Sequence, residues 1–566
     1  MRRLFLAAGL LAALPVCLAP ISDPDLPWHL SAGRFMAENL CVPTRDFLSW
    51  TKAGQPWIDY EWAAQLVFYG LEQAGGAIAL WLFKAALVAA LLALFIRLLR
   101  LWGMPASWVG CSLPPLALAL VPFLDARPEM FSFLFCLIDL YWLERRRLAP
   151  AQAADRGFLL RHAALYAAWA NIHAGFVVGL ALCLLYAIGE AMPRIFARKP
   201  FFAVFAEGLK PAPVFCAWFL AALAGTCLNP HGPALYSVFL THWQQLDLLR
   251  ENIGEWTAPR LANRYQWPYW GLLLFSYGAF LLRIGGRNLP PLTHILLLLV
   301  LSLPASRSFR HTAYVCLIAF PLALKALYDM EPPAWWPRLR ATVLGAVLAA
   351  TALLGFHILR MEKVFSSIQD PSRYAPKALC AYLAQEETTL ARLKMYNPYN
   401  WGGYMGWTLY PGYQIFMDGR YIFADTLASL IAAEKTPKAW QKFLNRQEID
   451  LVVMERWQPM YRDLRSGKYL LRPFDVYAMP RKSWALIYWD NQAMMLVRRD
   501  AVPQTWLEGH EFRILRPQDL QFVGHGVAAG LVPLGMVKSE VRRYLRGIRD
   551  PEESLRLASW LKSLGR

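Results

Sequence analysis

LFLAAGLLAALPVCLAPISDPDLPWHL, residues 4–30, is the stretch on which the fold turns. Residues 4–20 are apolar almost throughout, whereas SDPDLPWHL at 22–30 carries two aspartates, a tryptophan and a histidine. A spanning helix needs about 20 apolar residues. Charge at its mouth is costly unless it is solvated or put to use. The stretch therefore reads as a membrane helix that opens onto a polar loop with a task.

The rest of the chain repeats the first half of that pattern. Of 566 residues, 57% are hydrophobic, against about 45–50% in soluble domains. Apolar runs fall near 4–20, 77–101, 106–124, 129–143, 158–171, 174–192, 211–228, 268–286, 289–304, 309–328 and 341–359, so about eleven spanning helices are expected. The first run could instead be a cleaved signal peptide behind Arg2 and Arg3. The Trp-rich, acidic loop after it favours a retained helix.

The net charge of +18 follows the positive-inside rule and does not ask for nucleic acid. Basic residues crowd alternate turns: Arg97 and Arg100; Arg145, Arg146, Arg147, Arg156 and Arg161; Arg194, Arg198, Lys199 and Lys210; Arg283 and Arg287; Lys325, Arg338 and Arg340. The short turns between hold only Arg127, Arg307 and Arg310. This places the N-terminus in the cytoplasm and everything after residue 360 outside, in a bacterial inner membrane with a periplasmic C-terminal domain. Of nine cysteines, only Cys41 and Cys380 lie in outer segments. A bridge between them is open. No CxxC motif is present.

The expected fold is a multi-pass α-helical bundle over 1–360 with a mixed α/β outer domain over 361–566. The first outer loop is 21–76 and the second 229–265, both with stretches suited to lying in the interface. In the outer domain, Pro376 to Glu386 reads as a helix, and Gly412 to Met417 and Ile449 to Glu455 as strands. Trp484 to Trp489 and Ala493 to Arg498 read as a hairpin, and the tail from Lys538 as helical.

Candidate chemistry gathers at the outer boundary. Asp23 and Asp25 are flanked by Pro24 and Pro27, which argue against regular helix here. The plain alternative is an exit turn that caps a helix over Leu30 to Asn39, with Trp28 at the headgroups. Asp59 and Glu61 in WIDYEW return to the same surface. Four carboxylates could supply a general base and hold a divalent cation, Mg or Mn, if one is used. Asp59 equally suits an N-cap. Asp125, Arg127 and Glu129, then His173, then Asn229 and His231, then Arg307, Arg310 and His311, lie at the same level. Arginines that break the positive-inside pattern suit a lipid phosphate. His29 follows Trp28 in the first loop. In the outer domain, Trp401, Gly402, Gly403 and Tyr404, with Asp418, Gly419 and Arg420, suit acceptor recognition or a turn with core aromatics.

These motifs together resemble the GT-C class of glycosyltransferases. They are most similar to a bacterial group of polyprenyl-phosphate-sugar-dependent, mannosyltransferase-like enzymes. DPDLPWHL at 23–30 matches a DPDLWWHL-like start, PWIDYEW at 56–62 a PW-acidic-EW step, and RPEMFSF at 127–133 an RPxxFSF motif. WANIHAGFVVG at 169–179 matches WANxHxGFxxG, LNPHG at 228–232 matches LNPxG, and NPYNWGGYMGW with FMDGRY matches the outer-domain signature. Pro27 stands where the group carries an aromatic residue.

The resemblance implies sugar transfer from a polyprenyl-phosphate donor on the outer face, with a first-loop acid as base: Asp23 or Asp25, Asp25 slightly favoured. Arg127, Arg307 or Arg310, with His311 nearby, would face the donor phosphate. The partners expected are the donor, membrane lipids and an unknown glycan, lipid or protein acceptor in cell-envelope glycan synthesis. A transporter or flippase for lipid-linked glycans would gather its ionisable groups near mid-membrane, where Asp139 is the exception here. A non-catalytic scaffold with a sensing outer domain would not need four loop carboxylates.

Overall fold

The computed structural model describes residues 2–149, 156–195, 212–285, 289–330, 375–463, 470–547 and 550–564, with isolated positions 345 and 349. The chain divides into two compact units. One comprises Met1–Asp23, Ala32–Val42 and Ile58–Pro371, and the other Pro24–Ser31, Pro43–Trp57 and Ser372–Arg566.

The first unit is helical. Its helices are α1 (Arg2–Cys17), α3 (Trp62–Leu101), α4 (Ala106–Leu120), α5 (Glu129–Leu148), α6 (Arg156–Ile172) and α7 (Phe176–Ile195), followed by α8 (Ala212–Thr226), α9 (Trp267–Ile284) and α10 (Leu292–Arg307). The last, α11 (Phe309–Tyr328), widens into a π-turn at Val315–Ala319. A helix covers each expected apolar run within the described residues. The run at 341–359 falls almost wholly outside them, as do Arg198, Lys199, Lys210, Arg338 and Arg340. Among the described residues, three helices, Trp62–Leu101, Ala106–Phe123 and Phe309–Tyr328, are long and apolar enough to cross a membrane. Four shorter ones are also apolar: Leu4–Cys17, Phe176–Ala191, Val214–Thr226 and Leu292–Arg307.

Small residues let the helices approach, as close packing between apolar helices requires. Gly9 of α1 lies against the Gly110 backbone of α4, Gly225 of α8 against Ala163 of α6, and Gly189 of α7 against Thr293 of α10. Within α3, Gly75 and Gly76 leave helical geometry, and Gly76 takes φ 58°, which favours glycine. The break separates an amphipathic start from the apolar run that follows.

Helix α2 (Leu26–Asn39) divides its residues between the two units. It begins earlier than the expected Leu30, because Pro27 sits in the first turn, where no N–H partner is needed. The Asp25 carbonyl accepts the amides of Trp28 and His29, so Asp25 opens the helix.

In the second unit a four-stranded sheet runs in the order β1 (Met395–Tyr396), β2 (Leu451–Glu455), β6 (Ala493–Arg498) and β5 (Trp484–Trp489). β1 and β2 are parallel and the other pairs antiparallel. The expected hairpin is β5–β6. Both strands are almost entirely buried, as a sheet covered on both faces requires. A separate ribbon pairs β3 (Met460–Asp463) with β4 (Leu470–Pro473). The helix Pro437–Arg446 is capped by Thr436, whose hydroxyl accepts the Ala439 amide at 3.1 Å. It buries Trp440, Phe443 and Leu444 at helical spacing.

Two expectations are corrected, and one open question is answered. Gly412 to Met417 is not a strand. It forms only a bridge between Ser49 and Ile415, because the Asn397 side chain takes the Phe416 amide and the Met417 carbonyl that a ladder would use. Pro24–Ser31 and Pro43–Trp57, expected with the bundle, belong to the second unit. Cys41 and Cys380 form no bridge: both are free, one exposed and one buried.

Candidate functional site

In the first unit the exit from α1 is pinned to the turn before α5. Ser22 donates its amide and its hydroxyl to Asp125 Oδ2, both at 2.9 Å. That brings Asp23 against Arg127: Nη2 donates to Oδ1 at 3.0 Å and Nε donates to Oδ2. Arg127 also gives Nη1 to Glu255, in the single-turn helix Gly254–Trp256 of the second loop. Arg310, in the first turn of α11, lies 3.7 Å from Glu129 Oε2 and 4.9 Å from the Trp256 ring centre. The loop is held to that turn because Phe309 donates its amide to Thr257 at 2.8 Å and Ser308 its hydroxyl to the Glu255 carbonyl at 3.3 Å.

Two arginines thus serve three carboxylates, of which Asp23 and Glu129 are enclosed and Glu255 is the most open. Burial raises the Glu255 carboxyl, yet Arg127 and Arg310 together outweigh it and hold it below its ordinary value. His242 and His311 flank Trp256 at ring distances of 6.0 and 6.2 Å.

Beside this cluster, three motifs lock one histidine. Trp169 Nε1 donates to Ser132 Oγ at 2.6 Å, and Ser132 lies 2.7 Å from His173 Nδ1. The Gly175 amide donates to the same Nδ1 at 3.0 Å. Nδ1 is therefore an acceptor, and the ring proton sits on Nε2, 3.8 Å from Glu61. Burial, with Arg310, Arg127 and His242 nearby, pushes His173 down to about 3, so the ring is neutral. A Cβ at Gly175 would collide with Ser132, which explains the glycine. Trp62 donates to Asn171 at 2.8 Å, and Asn171 donates to the Leu228 carbonyl at 2.7 Å. The PWIDYEW, WANIHAG and LNPHG motifs therefore meet. Asp59 accepts from Gln65 at 2.8 Å and from the Glu61 amide at 3.3 Å. These are contacts at the start of α3. His231 lies in the turn after α8, with burial pulling it below its ordinary value. Arg307 is exposed at the end of α10, and the structure does not bring it into the cluster.

In the second unit, Asp25 Oδ1 accepts from Trp28 Nε1 at 3.2 Å, and His29 is buried with its ring 3.7 Å from that of Trp28. Gly419 lies so close to the Asp25 carboxylate that a Cβ there would clash. Arg420 is 4% exposed; Nη1 meets Asp46 at 2.7 Å, Nη2 meets Asp418 at 2.9 Å, and its guanidinium stacks 4.7 Å from Trp57. Burial raises the Asp418 carboxyl, with Arg420 opposing. This pair and Asp46 tie residues 43–57 to the segment around 415–423. Trp401 is buried, and Tyr404 is half-buried beside the close-packed Gly402 and Gly403.

Sequence reasoning passed over Glu255. Its signal is the GEW of 254–256, which repeats the acidic-Trp step of YEW at 60–62.

No family model matches the chain, and no curated protein matches it. Solved structures do. The oligosaccharyltransferase AglB of the archaeon Archaeoglobus fulgidus, in its apo form, aligns with a TM-score of 0.50 and 11% identity over 80% of this chain and 69% of its own. The same enzyme in complex with an inhibitory peptide and a dolichol-phosphate aligns with the same values. ArnT of Cupriavidus metallidurans, bound to undecaprenyl phosphate, covers 88% of this chain and 98% of its own at a TM-score of 0.46 and 14% identity. The AglB likeness is one of fold: the chain has the GT-C architecture that its motifs resemble.

Proposed function

We propose that this chain is a membrane glycosyltransferase that moves a sugar from a polyprenyl-phosphate donor to an acceptor at the extracytoplasmic face of a bacterial inner membrane. One observation carries the reading. Arg127 and Arg310 stand at helix ends, mostly enclosed and paired with carboxylates, in a fold shared with an enzyme solved with a dolichol-phosphate. Such arginines suit a phosphate, because low dielectric strengthens a charge-assisted, bidentate contact.

In this reading the lipid phosphate takes the place of Glu255 on Arg127. The acceptor oxygen attacks the anomeric carbon from the face opposite the phosphate and inverts it. The bond from that carbon to the phosphate oxygen breaks, its electrons stay on the phosphate, and Arg127 and Arg310 stabilise the added charge. The acceptor proton passes to Asp23 or Asp25. An arginine-clamped carboxylate is a weak proton acceptor, which favours Asp25 and leaves Asp23 to hold Arg127. His173 offers a neutral Nε2–H and serves as a positioning donor. Tyr404, half-buried in the second unit, is the ring that suits an acceptor sugar, since Trp401 is buried. No step needs a cation; loss of transfer in EDTA would add one.

The test is transfer from a polyprenyl-phosphate sugar by the protein in nanodiscs. Arg127→Ala and Arg310→Ala are expected to lower kcat by about 10²–10³, with Arg127→Lys a poor substitute for the bidentate fork. Arg307→Ala should be close to wild type. Full transfer by well-folded Arg127→Ala sinks the reading, and comparing Asp23→Asn with Asp25→Asn identifies the base.

A further inference from the structure

Asp139, His162 and Cys183 lie on three different helices, α5, α6 and α7, and all are fully buried. One donor atom from each lies within 4.8 Å of the others. Cys183 Sγ is 3.5 Å from Asp139 Oδ2 and 3.5 Å from His162 Nε2. Asp139 Oδ1 and His162 Nδ1 face one another at 3.7 Å, and neither has a hydrogen-bond partner among the described residues. Two enclosed polar atoms left this way are unusual, since burial without a partner is costly.

Their spacing identifies what fits between them. A shared hydrogen bond would draw them to about 2.9 Å, and a bridging water with tetrahedral angles would part them to about 4.5 Å. Two ligands on a tetrahedral zinc ion stand about 3.4 Å apart, and a thiolate and an oxygen about 3.6 Å apart. The 3.7 Å between Asp139 Oδ1 and His162 Nδ1 lies nearest the zinc value, and Cys183 Sγ approaches the other carboxylate oxygen and the other ring nitrogen of the same pair at 3.5 Å.

We propose that Asp139, His162 and Cys183 bind a zinc ion inside the helical bundle, apart from the candidate active site. Thiolate, imidazole and carboxylate together select zinc over the hard cations. Charge supports the same choice. On binding, the Cys183 thiol gives its proton to solvent, so one thiolate, one carboxylate and a neutral imidazole bring the ion to net zero. A neutral complex is the form that low-dielectric surroundings tolerate. The surroundings fit as well. The Tyr166 hydroxyl donates to Asp139 Oδ2 at 2.8 Å and orients it. Phe158, Trp142 and Trp218 pack their rings 5.9, 6.2 and 5.7 Å from that of His162 and keep water away.

Asp139 follows Glu129 by ten residues on one helix, so the ion lies about 15 Å along α5 from the arginine cluster. The same three helices bear Glu129, Ser132, Asn171 and, in the α6–α7 turn, His173. The ion pins together the elements that carry those motifs.

The test is the metal content of the full-length protein, purified without chelator and loaded with zinc or with cobalt as a coloured substitute. One zinc per chain is expected, together with a thiolate-to-cobalt charge-transfer band in the near ultraviolet. Cys183→Ser and His162→Gln should lose both. Cys136→Ser, which alters another buried cysteine of α5, should keep both. Chelation should lower the Tm of the wild type but not of Cys183→Ser. Wild type that takes up no zinc beyond the level of Cys183→Ser, or a cobalt spectrum unchanged by Cys183→Ser, overturns the proposal. The unaltered protein alone decides the first outcome, whatever the variants do to folding.

Discussion

Arg127 spreads its guanidinium over two carboxylates of unequal grip. Asp23 is fully enclosed at its side chain, whereas that of Glu255 is 38% exposed, so Glu255 is the partner that the proposed lipid phosphate would displace. Glu255→Gln removes the competing charge. Donor KM should fall about fivefold to tenfold, or roughly 1–1.4 kcal/mol, and an unchanged KM rules the exchange out. The arginines hold the Glu255 carboxyl below its ordinary 4.5, so the stabilisation it gives the loop is present above that pH and is lost as the pH falls through the lower folded value. Proteolysis of residues 245–266 should quicken below about pH 4.5 in the wild type, and less so in Glu255→Gln. His173 is pushed from 6.5 to about 3. An unfolded chain takes a proton there below 6.5 that the folded chain refuses, so this contribution is present above 6.5 and lost as the pH falls toward 3. The Tm of the wild type should drop more steeply over that interval than the Tm of His173→Gln. These roles follow from pairings 104 and 128 positions apart in the chain, which no local pattern reports. The motifs marked the residues; the geometry assigned their partners.

Elements were easier to read, for a physical reason. A helix in lipid must satisfy its own backbone and present an apolar surface along its length, and that requirement is written locally. The hairpin Trp484–Trp489 with Ala493–Arg498 was legible because two apolar runs flank a polar turn. Misreadings occurred where a local rule met a tertiary partner. Asn397 replaced a strand neighbour at 416–417, and Pro27 entered a helix start instead of preventing one. Helix contacts provide a test at this scale. Gly9 and Gly110 bring the α1 and α4 backbones so close that any Cβ meets main-chain atoms. Gly110→Val should therefore cost about 1–3 kcal/mol or more, read as a fall in Tm in detergent. Gly278→Ala, on an open face of α9, should be neutral or slightly stabilising. Equal effects from the two substitutions would remove the case for close α1–α4 packing.

The whole molecule is divided where hydropathy gave no warning. Pro24–Ser31 and Pro43–Trp57 sit in the sequence between apolar runs yet belong to the second unit. Asp46 meets Arg420, Ser49 bridges to Ile415, and Trp50 donates to the Met395 carbonyl at 2.9 Å. Residues 372–566 expressed alone should therefore be protease-sensitive, and residues 43–57 joined to them by a flexible linker should restore resistance. Equal resistance without that segment refutes the division. Arg420→Ala strands two buried carboxylates and should cost about 3–5 kcal/mol in the second unit, seen in its unfolding transition. What the sequence determined by itself was whatever depends on neighbours along the chain: apolar runs long enough for lipid, the alternation of basic turns, the hairpin, and motifs that resemble a GT-C enzyme. Tertiary structure alone decided which carboxylate holds which arginine, which segments of the first loop fold with the distant domain, and that Asp139 meets His162 and Cys183. The reason is range. Burial and backbone hydrogen bonding act on each segment as it stands, whereas an ion pair, a glycine contact or a metal site exists only after residues far apart have been carried to within a few ångströms.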